Sequence, residues 1–442
     1  MTKSSTPNTL LDDCFRQDPR DAARLTHAQA LDALRTAVTP TASTETLPIG
    51  QASGRICADR LRATHPVPGH TNAAVDGYAF AAADYQHTDG ETFPVTGRSA
   101  AGQPFTGNVA AGSALRIFTG AVVPDSLDTV VMQEDCTTED DTSTTGSPTS
   151  VFVPGGLKAG ANVRHAGEDV GVGDELVRPG QRLRAQDIGA LASSGYPEVR
   201  CFRPARVGIA STGDEVVPID QFHSGKQTLA PGQVFDVNGP MLRTLVSQVG
   251  GEIVDLGLWP DNRSAVEKHL SDAASRCDVI LTSGGASQGD EDHIAHVLSD
   301  IGSRQFWQIA IKPGRPLMLG QVGDTVAVGL PGNPVAVFIC FLLYVTPLIR
   351  RLGGADWFEP RRFPLPATFE ITNRKLGRRE FWRGTTRQTK DGLAVDKYPR
   401  DGSGLISGLR AADGLIDIPE DRLAVRPGEL VDFIPFSEFG LI

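Results

Sequence analysis

The sequence predicts a multidomain protein of the α/β plus β class. It would have a central doubly wound parallel sheet domain with a mainly β insertion domain, a small split linker domain and an all-β C-terminal domain. Three observations lead to this prediction. Strand and helix signals alternate through residues 204–352, as in βαβ units. Short apolar runs broken by Gly and Pro dominate on either side of this segment. At 442 residues the chain is also too long for one ordinary core.

The N-terminal part of the chain contains the first helix signal. Residues 1–24 are polar and predict a flexible N-terminus. Thr26 can cap a helix that ends before Pro40, because apolar residues follow it at helical spacing. These apolar residues are Ala30, Leu31, Leu34 and Val38.

A second helix signal covers residues 186–194, where Ile188 and Leu191 would be buried. We expect this helix to pack against the first one, which would make one small domain from two distant pieces of chain. The linker domain would then consist of residues 25–50 and 170–203, and the mainly β domain of residues 51–169.

The central segment predicts a sheet whose ligand site lies beyond the carboxyl ends of its parallel strands. Asn238 would cap the first of its helices. The most apolar run of the chain, in the last helix, is too short to span a bilayer and predicts a core helix. After it, residues 360–442 predict the all-β C-terminal domain. Strands are predicted over residues 206–210, 252–256, 279–282 and 325–328, and helices over residues 239–249, 262–275, 291–300 and 334–351.

Composition excludes several classes of protein. The 42 basic and 53 acidic residues give a net charge of -11, which argues against nucleic-acid and anionic-membrane binding. Six cysteines are scattered without a C-x-x-C pair, which indicates reduced thiols and a cytoplasmic protein. The N-terminus has no apolar stretch typical of a secretory signal.

The strand predicted over residues 279–282 leads into a glycine-rich loop with Gly284 and Gly285, followed by three acidic residues that end at Asp292. Glycines allow backbone N–H groups to approach an anion closely, and a helix N-terminus adds partial positive charge. Carboxylates beside a phosphate require a divalent cation between them. The stretch therefore predicts a phosphate site assisted by Mg²⁺.

Other segments reach the same edge of the predicted sheet. Glu215 and Asp261 follow the first two strands and would join Asp292 around Mg²⁺, directly or through water, because gathered like charges are costly without a cation. Lys312 and Arg315 bring two cations in a Pro-Gly turn. Pro331, Gly332, Asn333 and Pro334 lead into the last helix, with Asn333 as the N-cap and Pro334 as the first helical residue.

With these segments in order, the chain resembles the MoeA family, the molybdopterin molybdenumtransferases related to the E domain of gephyrin. The resemblance runs from about Leu25 to the C-terminus, and its motifs are specific in combination. They are NAAVDGYAF (72–80), GED (167–169), STGDE (211–215), SGGASQGDED (283–292), IKPGRP (311–316) and GLPGNPVA (329–336).

The resemblance implies four domains, an elongated homodimer and a small-molecule substrate bound by the central domain. The implied reaction is Mg²⁺-dependent insertion of molybdate into adenylated molybdopterin with release of AMP. Other proteins of molybdenum cofactor biosynthesis are candidate partners. Nothing in the sequence resembles a catalytic triad or an activated cysteine, so the expected mechanism is electrostatic.

The resemblance also assigns functional residues, matched motif by motif. Asp76 and Thr119 would complete the cleft from the partner subunit, and Arg383 and Ser403 would come from the C-terminal domain. Catalytic roles fall on Asp76, Thr119, Asp169, Glu215 and Lys312. Substrate binding falls on Ser283, Gly284, Gly285, Ser287, Arg315, Pro331, Gly332, Asn333, Arg383 and Ser403, and metal binding on Asp292, Asp261 and Glu215.

Three positions depart from the family pattern. Gln308 stands where relatives have a basic residue, which affects one anion contact. Arg315 replaces a lysine and keeps the charge with a different hydrogen-bond geometry. Val75 replaces a methionine, which we expect to change packing only.

Two other functions remain open from the sequence. A molybdopterin adenylyltransferase would have a similar sheet and would consume ATP instead of the adenylated intermediate. A non-catalytic scaffold would bind partners without turnover, against which the intact set of carboxylates argues.

Overall fold

The computed structural model describes six stretches of the chain, which form three six-stranded sheets, four two-stranded sheets and several helices. The α/β plus β class predicted from the sequence is confirmed. The predicted flexible N-terminus lies outside the described residues, apart from Arg24. The described stretches are residues 24–140, 148–219, 228–284, 293–314, 316–402 and 404–441.

The first helix, α1 (His27–Ala37), begins at Thr26 as predicted. Thr26 Oγ1 accepts a hydrogen bond from the Gln29 N–H (3.2 Å), and the Gln29 side chain accepts one from the Thr26 N–H (2.9 Å). This reciprocal cap satisfies two N–H groups that the helix itself leaves unpaired. Ala30 and Leu34 are buried in the core of the central sheet.

His27 joins three parts of the molecule. Its side chain is almost completely buried (3% exposed), and its Nδ1 lies 2.8 Å from Tyr344 Oη. The ring also meets Phe381 of the C-terminal segment edge to face. Burial lowers the pKa of His27 from 6.5 to about 4, because the charged imidazolium would lose its hydration.

We expect His27 to make the free energy of unfolding depend on pH. Between about pH 4 and 6.5 the unfolded chain binds the His27 proton and the folded chain does not, so stability rises with pH and levels off above 6.5. The effect amounts to roughly 3 kcal/mol. The free energy of unfolding, measured with denaturant across this pH window, should depend less steeply on pH for His27→Gln than for the wild type. The same substitution at the exposed His70 should leave the slope unchanged, and an unchanged slope for His27→Gln would contradict the expectation.

The next segment is rich in short strands, which build a six-stranded sheet in the order β7-β4-β6-β5-β9-β8. Its pairs are antiparallel except for β5 with β6. Ile117 and Val130 belong to one core, and Phe80 and Phe93 to another. The strands from the start of the chain are β1 (Thr44–Pro48), β2 (Leu61–Arg62), β3 (Asn72–Ala73), β4 (Gly77–Phe80), β5 (Glu91–Ser99), β6 (Ala114–Ile117), β7 (Thr129–Met132), β8 (Thr137–Asp140) and β9 (Pro148–Val153).

After this sheet, three strands pair with strands from the start of the chain. The elements are β10 (Val163–Arg164), β11 (Glu175–Val177), α2 (Ala185–Ser193) and β12 (Glu198–Phe202). β12 pairs antiparallel with β1, β11 with β2, and β10 with β3. The predicted packing of α1 against α2 is wrong. Leu191 of α2 lies in a separate core beneath β12, whereas the buried face of α1 packs on the central sheet.

The central sheet has the strand order β16-β13-β17-β21-β20-β18. Its first four strands are parallel, as predicted. The elements are β13 (Arg206–Thr212), β14 (Val216–Val217), β15 (Val234–Phe235), α3 (Asn238–Val249), β16 (Glu252–Trp259), α4 (Arg263–Ala274), β17 (Val279–Ser283), α5 (His293–Ile301), β18 (Ser303–Gln308), β19 (Ile311–Lys312), β20 (Pro316–Val322), β21 (Thr325–Leu330), α6 (Pro334–Cys340) and α7 (Thr346–Leu352).

The two remaining strands of this sheet, β18 and β20, are antiparallel and were not predicted. Val322 pairs with Thr325, so only Gly323 and Asp324 connect β20 to β21. Gly323 has φ +58°, a left-handed conformation that suits such a tight hairpin. The sheet is therefore mixed at one edge and not parallel throughout.

Helices cover both faces of the central sheet, which confirms the doubly wound arrangement. Val207 of β13 packs on the face covered by α1, α3, α6 and α7, together with Leu242 and Leu348. Ile280 of β17 packs on the opposite face, with Leu270 of α4 and Leu298 of α5.

The predicted apolar core helix runs from Pro334 to Leu352 as α6, a five-residue π turn (Phe341–Val345) and α7. Among the described residues it is the one helix long and apolar enough to cross a membrane. In the fold, 83% of its most apolar 18-residue stretch is buried. The core-helix prediction is therefore confirmed, whereas the expectation that the run is too short to span a bilayer is wrong, because the helix continues to 19 residues.

The C-terminal sheet has the order β19-β23-β25-β26-β22, with β24 paired to β23. Its edge strand β19 comes from the central segment and places Lys312 opposite Glu380 of β23. One short helix interrupts the predicted all-β segment. The elements are β22 (Phe363–Pro366), β23 (Arg379–Thr389), β24 (Gly392–Lys397), α8 (Ile406–Ala411), β25 (Gly414–Ile418) and β26 (Leu430–Pro435).

Candidate active site

A cavity of about 540 Å³ lies between the carboxyl edge of the central sheet and β23 of the C-terminal sheet. Its central wall consists of the loops that follow β17 and β21 and the start of α6. Its opposite wall is formed by β23 and by the segment after β24. Six of the predicted site residues line it, namely Gly284, Lys312, Pro331, Gly332, Asn333 and Arg383.

Gly284 shows why a glycine follows β17. Its φ is +104°, and a Cβ at this position would lie 2.5 Å from Thr212 Oγ1 of the neighbouring strand. The Gly284 N–H donates to the Leu330 carbonyl (3.0 Å) at the end of β21. Any other residue would have a strained backbone at this φ and a Cβ that clashes with Thr212. The position therefore requires glycine.

Asn238 connects the ends of β17 and β21 behind the central wall of the cavity, and neither Asn238 nor the predicted site residue Ser283 lines the cavity itself. Its Nδ2 donates to Ser283 Oγ (2.7 Å) and to the Gly332 carbonyl (2.7 Å), and both Asn238 and Ser283 are buried. The predicted role of Asn238 as a helix cap is wrong, because α3 begins at this residue. Asp236 accepts the N–H of Gly239 instead (2.8 Å), since its carboxylate lies just outside the first turn.

Asn333 is the N-cap residue of α6 and Pro334 is its first residue, as predicted. The Asn333 side chain makes no capping hydrogen bond. It lines the cavity together with Val335 and Ala336, so the positive end of the helix borders the cavity.

The cavity is positively charged although the chain carries a net charge of -11. Its described lining contains the cations Lys312, Arg383 and Lys397 and one carboxylate, Asp401. Lys397 Nζ donates to Asp401 (2.7 Å), and this bond, with the charges of Lys397, Lys312 and Arg383, lowers the pKa of Asp401. Asp401 therefore stays ionised, and cations remain in excess for an anionic ligand.

Arg383 is fixed by backbone carbonyls. Its guanidinium donates to the carbonyls of Leu405 (3.0 Å) and Arg400 (2.8 Å) and lies 4.9 Å from the centre of the Tyr398 ring. The residue is 8% exposed, and burial lowers its pKa. No carboxylate of the described residues forms an ion pair with Arg383, so its charge acts on the cavity.

Lys312 is less tightly held. Its Nζ lies 3.7 Å from Glu380 Oε2, beyond hydrogen-bond distance, and 42% of its side chain is exposed. Glu380 is buried and has closer partners, since it accepts from Arg378 (3.1 Å) and Trp382 Nε1 (2.9 Å). The ion pair with Glu380 is therefore long and partly exposed, and the Lys312 side chain borders the cavity.

Glu215 and Asp261 follow the carboxyl ends of the neighbouring strands β13 and β16, and both are exposed. Neither lines the cavity. The described residues contain no group of three metal-ligating side chains. Asp292 lies outside the described residues, as do Gly285, Ser287, Arg315 and Ser403, so the predicted Mg²⁺ site stays a prediction.

Asp76 and Thr119 form a second cluster, next to the ends of β4 and β6 in the six-stranded sheet of the mainly β segment. Asp76 Oδ1 accepts hydrogen bonds from the Thr119 N–H (2.8 Å) and from Thr119 Oγ1 (2.7 Å), and these bonds lower the pKa of the half-buried Asp76. Asp169, which is exposed, donates its N–H to the Val67 carbonyl (3.1 Å). None of the three lines the cavity of the same chain.

Sequence reasoning missed several residues of the cavity. Phe381 and Trp382 of β23 and Tyr398 after β24 line it, as do Lys397 and Asp401. A signal was available in the stretch Arg378 to Arg383, where charged and aromatic residues are clustered. Its relation to the central sheet depends on β19 joining β23, a pairing that no local pattern indicates.

Three family models match successive parts of the chain. One described as "MoeA N-terminal region (domain I and II)" matches residues 25–195. One described as "Probable molybdopterin binding domain" matches residues 208–351. One described as "MoeA C-terminal region (domain IV)" matches residues 365–436. Together they cover all the segments that surround the cavity.

Similar proteins cover most of the chain. The molybdopterin molybdenumtransferase of Haemophilus influenzae is 38% identical over 396 residues, which are 89% of this chain and 94% of the relative. That of Nostoc sp. is 36% identical over 325 residues, 72% of this chain and 71% of the relative. The crystal structure of the molybdopterin biosynthesis moeA protein from Pyrococcus horikoshii OT3 superposes with a TM-score of 0.77 at 27% identity, covering 93% of this chain and 100% of that one.

Proposed function

The chain belongs to the MoeA family and is a transferase of molybdenum cofactor biosynthesis, and from this premise we propose that it inserts molybdate into adenylated molybdopterin with release of AMP. The observation that supports this reaction most is the positively charged cavity between the two sheets. A phosphoanhydride and a molybdate are both anions, and a cavity with excess cations suits both.

Several residues that line the cavity have a proposed role in binding the substrate. Lys312 and Arg383 hold anionic oxygens, and the start of α6 adds its partial positive charge. Pro331 and Gly332 let the backbone approach the ligand closely. The rings of Trp382 and Tyr398 offer flat surfaces against which a planar part of the substrate can stack.

Mg²⁺ would be held by Asp292, with Glu215 and Asp261 as direct or water-mediated ligands. The described residues fit this role, since two exposed carboxylates follow adjacent strands and carboxylate oxygens are hard ligands. A bound Mg²⁺ would neutralise charge on the phosphoanhydride and make AMP a better leaving group. Lys312 would bind and orient the same anion through its positive charge at the cavity edge.

The mechanism is electrostatic and does not use a cysteine nucleophile. Burial raises the pKa of the Cys201 thiol to about 11 and that of Cys340 to about 12. The pKa values of Cys57, Cys136 and Cys277 are also raised, with burial as the largest cause. The described cysteines therefore stay protonated near neutral pH, and a protonated thiol is a poor nucleophile.

We propose that the protein works as a homodimer in which Asp76 and Thr119 of one subunit complete the cavity of the other. This explains why the Asp76–Thr119 cluster is built with two short hydrogen bonds but does not line the cavity of its own chain. Both residues lie in loops positioned by a rigid sheet, where binding and catalytic residues are often found.

Mixed dimers test this arrangement. Asp76→Ala and Lys312→Gln chains, each inactive alone, should recover activity when they are co-expressed. If sites combine Asp76 of one chain with Lys312 of the other, half of the dimers are mixed and each has one intact site, so about a quarter of the wild-type activity should return. Mixing Lys312→Gln with Arg383→Gln chains is the control and should restore none. Recovery in the control, or none with Asp76→Ala, would contradict the shared site.

The reaction itself is tested with purified protein, adenylated molybdopterin, molybdate and Mg²⁺. AMP is quantified by chromatography, and the loaded cofactor by reconstitution of a cofactor-free molybdenum enzyme. Both products should form at equal rates and without ATP. Consumption of ATP with free molybdopterin would identify an adenylyltransferase instead. No turnover with either substrate, but retained binding of partner proteins, would identify a scaffold.

We also propose a cytoplasmic location, with other proteins of molybdenum cofactor biosynthesis as partners. The proposed domain boundaries remain those of the sequence. The pairing of β1 with β12 supports joining the two linker pieces, although α1 packs elsewhere. The boundaries are residues 25–50 with 170–203, 51–169, 204–352 and 360–442.

A further inference from the structure

A second cavity, of about 470 Å³, lies at the opposite edge of the central sheet. Pro204 and Gly251 line it and lie just before β13 and β16, so this edge carries the amino ends of the parallel strands. The facing wall comes from residues 54–56, at the start of the mainly β segment, and from residues 178 and 180–182 of the second linker piece. No described residue of the proposed active site lines this second cavity, so it is a separate place on the molecule.

The second cavity is rich in arginine. Five guanidinium groups line it, against one carboxylate, Asp356. Such an excess of one charge in a concave site raises the local concentration of oppositely charged ligands. The five arginines are Arg55, Arg178, Arg182, Arg203 and Arg350.

Nearby negative charge offsets about three of these five cations. Asp356 pairs with Arg178 (3.3 Å), and Glu45, just outside the lining, pairs with Arg55 (2.6 Å) and Arg203 (3.6 Å). The C-terminal ends of α3 and α7 also border the cavity, and each contributes roughly half a negative charge. Together these negative charges amount to about three, so a net charge of about two positive units remains around the cavity. Two of the five arginines have no acidic partner among the described residues.

These two are Arg182 and Arg350, neither of which pairs with a carboxylate in the described part of the chain. Arg182 donates to the Gly54 carbonyl (3.2 Å), and Arg350 donates to the Phe439 carbonyl (3.2 Å). The Arg350 Nε is buried and has no partner among the described residues. Burial, and then the nearby charge of Arg182, lower the pKa of Arg350 to about 10. The charge of Glu438, which pairs with Arg361 (2.7 Å), offsets this lowering only in part. Two like charges therefore line one cavity, and neither has a carboxylate paired to it in the described part of the chain.

We propose that the second cavity binds the phosphate group of a small phosphorylated molecule between Arg182 and Arg350. Guanidinium groups recognise phosphate through paired N–H donors. The cavity volume is in the range of small-molecule sites and exceeds what a lone phosphate fills. Trp357 and Phe358 line it as well, and the buried Trp357 Nε1 has no partner in the described part of the fold. The Arg350 guanidinium lies over the Phe358 ring (4.0 Å from its centre), so Phe358 orients the cation and the Trp357 ring offers an apolar surface for the organic part of the ligand.

The test measures binding of inorganic phosphate and phenyl phosphate by calorimetry, with Lys312→Gln protein so that the first cavity contributes less. Arg182→Gln in this background should weaken phenyl phosphate binding about tenfold, because a charge-assisted contact is lost. Arg182 is exposed and makes one backbone contact, so its thermal unfolding should stay near that of the parent. Arg350→Gln should weaken binding similarly, and Arg182→Gln alone decides the question if Arg350→Gln does not fold.

Arg263→Gln is the matched control, since it removes the same charge from an exposed residue of α4 on the far face. It should change affinity by less than about twofold, as expected for a distant surface charge. Tighter binding of phenyl phosphate than of phosphate would identify a phosphate ester as the ligand, and equal binding a free ion. Equal losses in Arg182→Gln and Arg263→Gln, or affinity unaffected by Arg182→Gln, would overturn the proposal. The outcome does not depend on the molybdate reaction.

Discussion

Lys312→Gln is expected to lower kcat/KM for adenylated molybdopterin by about 10²–10³-fold, the usual range for removing a fixed group that stabilises charge in a transition state. The side chain lines the cavity and its nearest acidic partner is 3.7 Å away, so its charge is available to the substrate. Glutamine is close to lysine in length and keeps polarity but removes the charge. The loss should therefore report the electrostatic contribution of Lys312.

The initial rate of AMP release over a range of substrate concentrations measures this effect. Stability should change little, because a half-exposed ion pair contributes at most about 1 kcal/mol and Glu380 keeps its contacts with Arg378 and Trp382. Lys375→Gln makes the same substitution at an exposed lysine outside the cavity and should leave the rate unchanged. A rate for Lys312→Gln within about threefold of the wild type would be incompatible with a transition-state role.

Local patterns in the sequence predicted the parts of the fold that local forces determine. The Thr26 cap, the strand at Val279 and the buried helix after Pro334 depend on neighbours within a few residues. The packing of α1 could not be predicted in this way. The apolar face of α1 fits the central core and the linker core equally well by composition, and the structure places Leu34 in the central core.

The antiparallel strands β18 and β20 were missed for a similar reason. Residues 316–322 are almost all buried, so they lack the alternation of apolar and polar residues that marks a half-exposed strand. The pairing of β19 with β23 joins residues about seventy positions apart, and only the tertiary fold determines it. That pairing brings Lys312 near Arg383, so the cationic wall of the cavity depends on a contact that local sequence does not encode.

The predicted site residues also differ in whether a local sequence signal reveals their role. Gly284 and Asn333 were found because a tight backbone and a helix start leave local signals, and both line the cavity. Asn238 was assigned to a cap because Asn favours that position, yet its side chain connects Ser283 to Gly332. The amide oxygen of Asn can accept a backbone N–H at a helix start, whereas its two N–H donors can connect two acceptors, as they do here.

Asp292→Ala is expected to have the largest effect of all, a loss of roughly 10³-fold in AMP release, since neutralisation of a phosphoanhydride by a metal ion is worth several kcal/mol. Glu215 and Asp261 already bring two exposed carboxylates to adjacent strand ends, and a polyphosphate would be repelled there without a cation. Asp292 is the last of the three acidic residues that follow Gly289 and directly precedes α5, and it is the one that the resemblance to the family assigns to the metal.

The measurement combines turnover with Mg²⁺ dependence, because a structural role and a ligand role differ in the second. For Asp292→Ala the rate should rise with Mg²⁺ far beyond the concentration that saturates the wild type, whereas circular dichroism and thermal unfolding should match it. Asp300→Ala removes an exposed carboxylate at the other end of α5 and should keep both rate and Mg²⁺ response. If Asp292→Ala turned over normally at low Mg²⁺, the metal would be held elsewhere. If it lost activity with an unchanged Mg²⁺ response, Asp292 would act on the substrate directly and not through the ion.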